Sequence, residues 1–269
     1  MLREKINYFL QITGSKLQQM NYSKHTVNIY LHYLNEFLEK VGCSPSKLSN
    51  SDLEDYLVNY KYSSVSKQNQ IISSLKFFWV RVLGRKRLRV DFKRPRKEKK
   101  LPKIIDQYSA IKKIKAIENK KHKAILWLAL STGMRVSEII NLKIKDIDSK
   151  RMVIHVKNAK GRKDRFLKLT DGTLKVLRRY VRDYRPDTML FNGQNSKYYS
   201  TTSCNKIVKK YIAPDAHMHL LRHTFSCAVL ENGTDVNILQ NALGHARLET
   251  SAAYLHLTKN AIQRTQAPL

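Results

Sequence analysis

The chain has 269 residues, 42% of them hydrophobic, and sets 51 Lys and Arg against 21 Asp and Glu for a formal charge of +30. Self-repulsion on that scale points to a polyanionic partner, and the basic residues run through patterned segments rather than a lipid-facing tail, which favours nucleic acid over a membrane. The longest strictly apolar run of the second part, Ala124 to Leu130, is too short to cross a bilayer, the amino terminus carries no secretory pattern, and Cys43, Cys204 and Cys227 are too scattered for a disulfide framework, so a cytoplasmic protein is expected.

Residues 1–92 read as a small all-helical module. Val27, Tyr30, Leu31, Leu34, Phe37 and Leu38 follow the three/four spacing of one buried stripe, with Ser23 as the N-cap and Gly42 to Pro45 as the break. Ser51 is expected to start the next helix, holding Leu53, Tyr56 and Leu57. A third carries Ile71, Ile72, Leu75, Phe78 and Trp79 and stops near Gly84. The segment 93–103, KRPRKEKKLPK, is dense in basic residues, and Pro95 and Pro102 forbid a regular helix across it. It reads as an extended linker whose charge, chiefly Lys97, Lys99 and Lys100, suits a phosphate backbone.

Residues 104–269 form the second domain. Ala110, Ile111, Ile114 and Ile117 mark one helix, and the apolar stretch around Trp127 marks a buried helix ending near Gly133. The period then changes to two. Met152, Ile154 and Val156, then Leu167 and Leu169, predict a hairpin whose turn is basic, with a short strand around 143–148. Leu174, Leu177, Val181 and Tyr184 return to helical spacing, and a helical remainder starts at a cap in Ser200-Thr201 and is punctuated by Gly233 and Gly244.

Four segments carry chemistry suited to a phosphodiester. In TGMRVSE, Glu138 lies three residues after Arg135, on the same helical face, where a carboxylate can hold a guanidinium for bidentate phosphate binding. In HLLRH, a helix sets His219 beside Arg222, a proton carrier beside a second cation. Read alone, His217, His219 and His223 would also serve a zinc site, although no Cys or carboxylate lies nearby at a familiar spacing. LGH places His245 nine residues before Tyr254, whose hydroxyl needs cations or a base to attack phosphorus. The turn Lys157 to Lys163 can carry a lysine into a groove to protonate a leaving oxygen.

In this order, the segments resemble the tyrosine recombinase (phage integrase) family, and within it the short Xer-like and integron-integrase-like members, over nearly the whole chain. The resemblance implies a mainly α, two-domain protein: a helical, SAM-like core-binding domain (1–92), a linker (93–103), and a mainly α catalytic domain with a small antiparallel sheet (104–269) closing on duplex DNA. It implies that Tyr254 forms a 3′-phosphotyrosyl bond, that Arg135, Arg222 and His245 hold the nonbridging oxygens, and that His219 assists proton transfer. Glu138 supports Arg135, and Lys160 protonates the leaving 5′ oxygen, with Lys157 and Lys163 as competitors for that role. Arg162 and Lys163 join the linker lysines as DNA contacts. No metal or other cofactor is implied. Expected partners are DNA with inverted half-sites and further copies of the chain, a dimer on one site and a tetramer at synapsis. A second recombinase or accessory protein stays open, and the location implied is the cytoplasm, on the nucleoid. Rival readings are a type IB topoisomerase-like activity and a non-catalytic DNA-binding protein.

Overall fold

The computed structural model describes residues 2–85, 103–157, 164–194, 196, 198–244 and 254. The chain divides into two compact units, Met1–Lys99 and Lys100–Leu269. Expectations for Lys97, Lys99, Lys100, Lys160, Arg162, Lys163 and His245 fall outside the described residues.

The first unit is built from α1 (Leu2–Gln19), α2 (Lys24–Val41), α3 (Asn50–Asn59) and α4 (Val65–Phe77), which runs on into a π-helical turn, Phe78–Val82. Local chemistry sets the boundaries. The Ser23 hydroxyl accepts from the Thr26 N–H at 3.1 Å, and Gly42 ends α2 in the left-handed conformation. The start of α3 differs from the expectation at Ser51: Ser49 is the cap, because its hydroxyl takes the Asp52 N–H while the Asp52 carboxylate takes the Ser49 N–H. The stripe on α2 serves two clusters. Leu34, Phe37 and Leu38 pack with Leu53, Leu57, Ile71 and Leu75, whereas Val27, Tyr30 and Leu31 meet Leu17 of α1 and Phe77.

The second unit contains α5 (Gln107–Lys115), α6 (Lys120–Thr132), α7 (Val136–Ile140), β1 (Ile147–Asp148), β2 (Val153–Val156), β3 (Arg165–Lys168), α8 (Asp171–Tyr184), α9 (Thr201–Tyr211), α10 (Met218–Glu231) and α11 (Val236–Leu243). Helix α6 buries Ala124, Ile125, Leu126, Leu128, Ala129 and Leu130, apolar nearly all round as a central helix must be, and packs between α8 and α10. Strands β1, β2 and β3 form an antiparallel sheet in that order, with Ile154 opposite Leu167 and both turned to the core.

Three expected positions shift. The strand foreseen across 143–148 is only Ile147–Asp148; before it, Ile144–Asp146 is a 3₁₀ turn, closed by the Asp146 carboxylate on the Lys143 N–H. Met152 sits outside the hairpin at φ 54°, in the turn before β2. On α8 the inward residues are Thr173, Leu174, Leu177 and Tyr180, while Tyr184, in the last turn beyond the core, is exposed. No described helix is long and apolar enough to cross a membrane.

Candidate active site

The site forms where three helix ends meet. At the C-terminus of α6, Gly133 takes φ +62°, a conformation that lets the chain turn sharply and deliver Arg135 as the N-cap of α7. Arg135 and Glu138 therefore do not share a helical face. Their contact is that of a cap with the third residue of its helix: the Glu138 carboxylate accepts from the Arg135 main-chain N–H at 2.8 Å and from Nη1 at 2.9 Å. A third partner completes the pair. Arg165, first residue of β3, donates Nη1 to Oε1 at 3.0 Å and Nη2 to Oε2 at 2.8 Å. Burial alone would raise the Glu138 pKa, but the bonds from Arg165 and Arg135 outweigh it and hold the carboxyl below its ordinary value.

Arg222 comes from the middle of α10 and is buried. Its Nη1 donates to the Gly133 carbonyl at 2.7 Å and its Nη2 to the Leu243 carbonyl at 2.8 Å. Burial, and then the charge on Arg135, lowers its pKa to about 10, so it stays cationic at neutral pH. Arg135 Nη2 donates to the next carbonyl along, Gly244, at 2.8 Å. Two guanidiniums from segments almost ninety residues apart thus hang from adjacent peptide groups.

Tyr254 is buried against Cys227, Leu230, Leu239 and Leu243, in the small cluster between α10 and α11. Its hydroxyl lies 2.8 Å from Nδ1 of His223, and Ser226 shares a further hydrogen bond with it. Burial holds the phenol pKa above its ordinary value, and the charges on Arg222 and Arg135 and the Ser226 hydrogen bond offset only part of that rise. Burial, then the charges of His219, His217 and Arg222, lowers the His223 pKa to about 4, so its imidazole is neutral at pH 7 and shares this hydrogen bond with the phenol hydroxyl. His219 stands one turn earlier on α10, its ring 5.6 Å from that of His223. Partial desolvation lowers its pKa first, and the charges on Arg222, His217 and Arg135 lower it further.

Of the expected residues, Arg135, Glu138, Arg222 and Tyr254 come together here, with His219 within reach of their charges. Two histidines of the zinc alternative are engaged otherwise: Nδ1 of His217 caps α10 by accepting the Leu220 N–H, and Nδ1 of His223 meets Tyr254. Lys157 is tied to the buried Asp146 carboxylate at 2.8 Å. Arg165 and the His223 contact were not foreseen. A signal for Arg165 existed, because it shares strand parity with Leu167 and Leu169, so it was due to point inward.

Comparison with known proteins gives a consistent picture. Residues 97–261 match the phage integrase family, and residues 9–87 match the phage integrase N-terminal SAM-like domain. The chain is 32% identical to the tyrosine recombinase XerA of Pyrococcus horikoshii over 95% of its own length and 88% of the relative's. It is 28% identical to XerC of Staphylococcus epidermidis over 98% and 95%. Among solved structures it resembles the XerA recombinase (TM-score 0.56, 28% identity, 96% of each chain). In fold it also resembles XerH bound to palindromic difH substrate in a post-cleavage complex (TM-score 0.73, 21% identity, 93% of this chain and 83% of that one).

Proposed function

This chain belongs to the phage integrase family of site-specific recombinases, and from that premise we propose that it cuts and rejoins duplex DNA through Tyr254. The observation that carries this reading is the convergence of two buried or half-buried arginines and a buried tyrosine hydroxyl from three distant segments. Two fixed cations match the nonbridging oxygens of a scissile phosphate, and their orientation is set before substrate arrives, so little reorganisation is needed as charge develops at phosphorus. Tyr254 Oη attacks phosphorus, the bond to the 5′ oxygen breaks, and a 3′-phosphotyrosyl ester and a free 5′-hydroxyl result. The reverse attack rejoins DNA without ATP, because the ester keeps the energy of the broken link.

His245 joins Arg135 and Arg222 on the nonbridging oxygens, and His219 assists the proton transfer at Tyr254. Lys160 is the general acid for the leaving oxygen. The Asp146 pair supports that choice over Lys157, whose ammonium already has a carboxylate partner. The reading assigns residues 1–92 to core binding, 93–103 to a linker in which Lys97, Lys99 and Lys100 follow phosphates, and 104–269 to catalysis, with Arg162 and Lys163 as further DNA contacts. Structures of related fold captured on DNA, such as the XerH complex, support duplex DNA as the partner. The proposed setting is the cytoplasm, with one protomer on each inverted half-site and a tetramer at synapsis.

Covalent capture tests the reading. On a nicked suicide substrate carrying the target site, the wild-type chain should leave an adduct on a denaturing gel. Tyr254→Phe should bind the same DNA and leave none. An adduct formed by the mutant would move the nucleophile to another residue.

A further inference from the structure

The last turn of α11 presents three consecutive carbonyls, and a different arginine takes each. Ala242 accepts from Arg165 Nε at 2.7 Å, Leu243 from Arg222 Nη2 at 2.8 Å, and Gly244 from Arg135 Nη2 at 2.8 Å. A helix C-terminus leaves such carbonyls without intrahelical partners and carries partial negative charge, so it suits cations. Arg135 and Arg222 already have a place in the proposed reaction. Arg165 has none, yet its side chain is only 9% exposed and its three nitrogens make one bond to Ala242 and two to Glu138.

We propose that Arg165 is a positioning residue for strand cleavage: it holds Glu138, and through Glu138 Arg135, while fixing the turn from which Arg135 and Arg222 hang. This rests on the recombinase reading above. Two physical arguments support it. A third cation near Arg135 and Arg222 is repelled by both, and it is among the charges that lower the Arg222 pKa, so its burial needs compensation. Glu138 supplies that compensation, and its charge is then divided between two guanidiniums. Without Arg165 the whole carboxylate charge would fall on Arg135 and neutralise it before any phosphate arrived. With Arg165 the group of Arg135, Arg165, Arg222 and Glu138 keeps two net positive charges, matched to a phosphorane. Geometry makes the residue type specific, since a guanidinium spreads its donors over three nitrogens in one plane, two facing Glu138 and one facing Ala242, whereas an ammonium holds all of its donors on a single atom. A lysine could reach Glu138 or Ala242 but could not fork onto the carboxylate and hold the carbonyl as well.

The test uses the full chain on nicked duplexes carrying its target site, with either a normal phosphate or a methylphosphonate at the scissile position. A methylphosphonate lacks the nonbridging charge that Arg135 and Arg222 would neutralise. On the phosphate, Arg165→Gln should lower the single-turnover adduct rate at saturating DNA by roughly 10–100-fold, the scale of a misplaced catalytic group, with half-saturation little changed. Arg165→Lys should fall between the two. On the methylphosphonate, Arg165→Gln should approach the wild-type rate. An equal loss on both substrates would make Arg165 a scaffold residue only, and weakened DNA binding with an unchanged rate, or no defect at all, would also overturn the proposal. Should Arg165→Gln melt below the assay temperature, the same comparison with Arg165→Lys decides, by whether its defect is larger on phosphate than on methylphosphonate. A wild-type chain that forms no adduct would remove the recombinase reading itself, and Arg165's role with it.

Discussion

Replacing Glu138 by Gln removes one charge and leaves the shape almost unchanged, which makes it an incisive test of the arginine cluster. The carboxylate accepts four N–H groups: the Arg135 main chain, Arg135 Nη1, and both terminal nitrogens of Arg165. A glutamine amide has one oxygen to offer, and its NH₂ must face donors on the other side, so two of these bonds are lost whichever way it turns. Hydrogen bonds to charged groups contribute about 1.5–3 kcal/mol each. The Glu138 side chain is 7% exposed and that of Arg135 17%, so some of the loss is recovered from water. A destabilisation of about 3 kcal/mol follows, within the range for breaking one side of a buried ion pair. In a unit of this size that corresponds to a Tm lowered by roughly 6–12 °C. The pH dependence adds a signature. Glu138 titrates below its unfolded value, so its contribution is complete above about pH 4.5 and is lost as pH falls through the folded pKa. The gap between wild type and Glu138→Gln should therefore be widest near neutrality and close in acid. Denaturant titrations from pH 7 downward measure it. A gap that is absent at pH 7, or that stays constant into acid, would mean that Glu138 does not carry the charge assigned to it.

Two further outcomes are expected. At Gly133 an added Cβ would lie 2.4 Å from Phe225 Cδ1 and 3.0 Å from Leu243 Cδ2 at φ +62°, whereas at Gly233, φ +83°, it would meet nothing. Gly133→Ala should then cost about 2–4 kcal/mol, backbone strain plus overpacking, against about 1–2 kcal/mol for Gly233→Ala, and only Gly133→Ala should slow adduct formation, since it disturbs the carbonyl that holds Arg222. His223, with its pKa lowered to about 4 from 6.5, binds fewer protons than in the unfolded chain between those values, so its contribution is present above that window and is lost as pH falls through it. His223→Asn should flatten the stability–pH curve there by about 1–2 kcal/mol after solvent screening, and an unchanged curve in denaturant titrations would place the titration elsewhere.

What could be read from the order of residues was whatever acts over short range. The Ser23 and Ser200 caps, the end of α6 at Gly133, the inward stripe of α2 and the inward direction of Ile154 and Leu167 all follow from spacings of two to four residues. The resemblance to the recombinase family was equally legible, because its motifs are short and stand in a set order. Where local signals overlapped, the structure chose between them: Ser49 rather than Ser51 caps α3, and the capping box is closed by Asp52, three residues after Ser49, rather than by Glu54, three residues after Ser51. The inner wiring of the site was beyond local reading. In a chain of charge +30, Arg165 looks like one more basic surface residue after a basic turn. Its strand parity hinted at an inward direction, but its partners lie 27 and 77 residues away and are named only by packing. The same holds for His223, which sequence placed beside Arg222 and tertiary structure placed against Tyr254, 31 residues on. Short-range periodicity says which way a side chain points. Only the closure of α6, α10 and α11 on one another decides what it meets, because a hydrogen bond depends on distance through space and not along the chain.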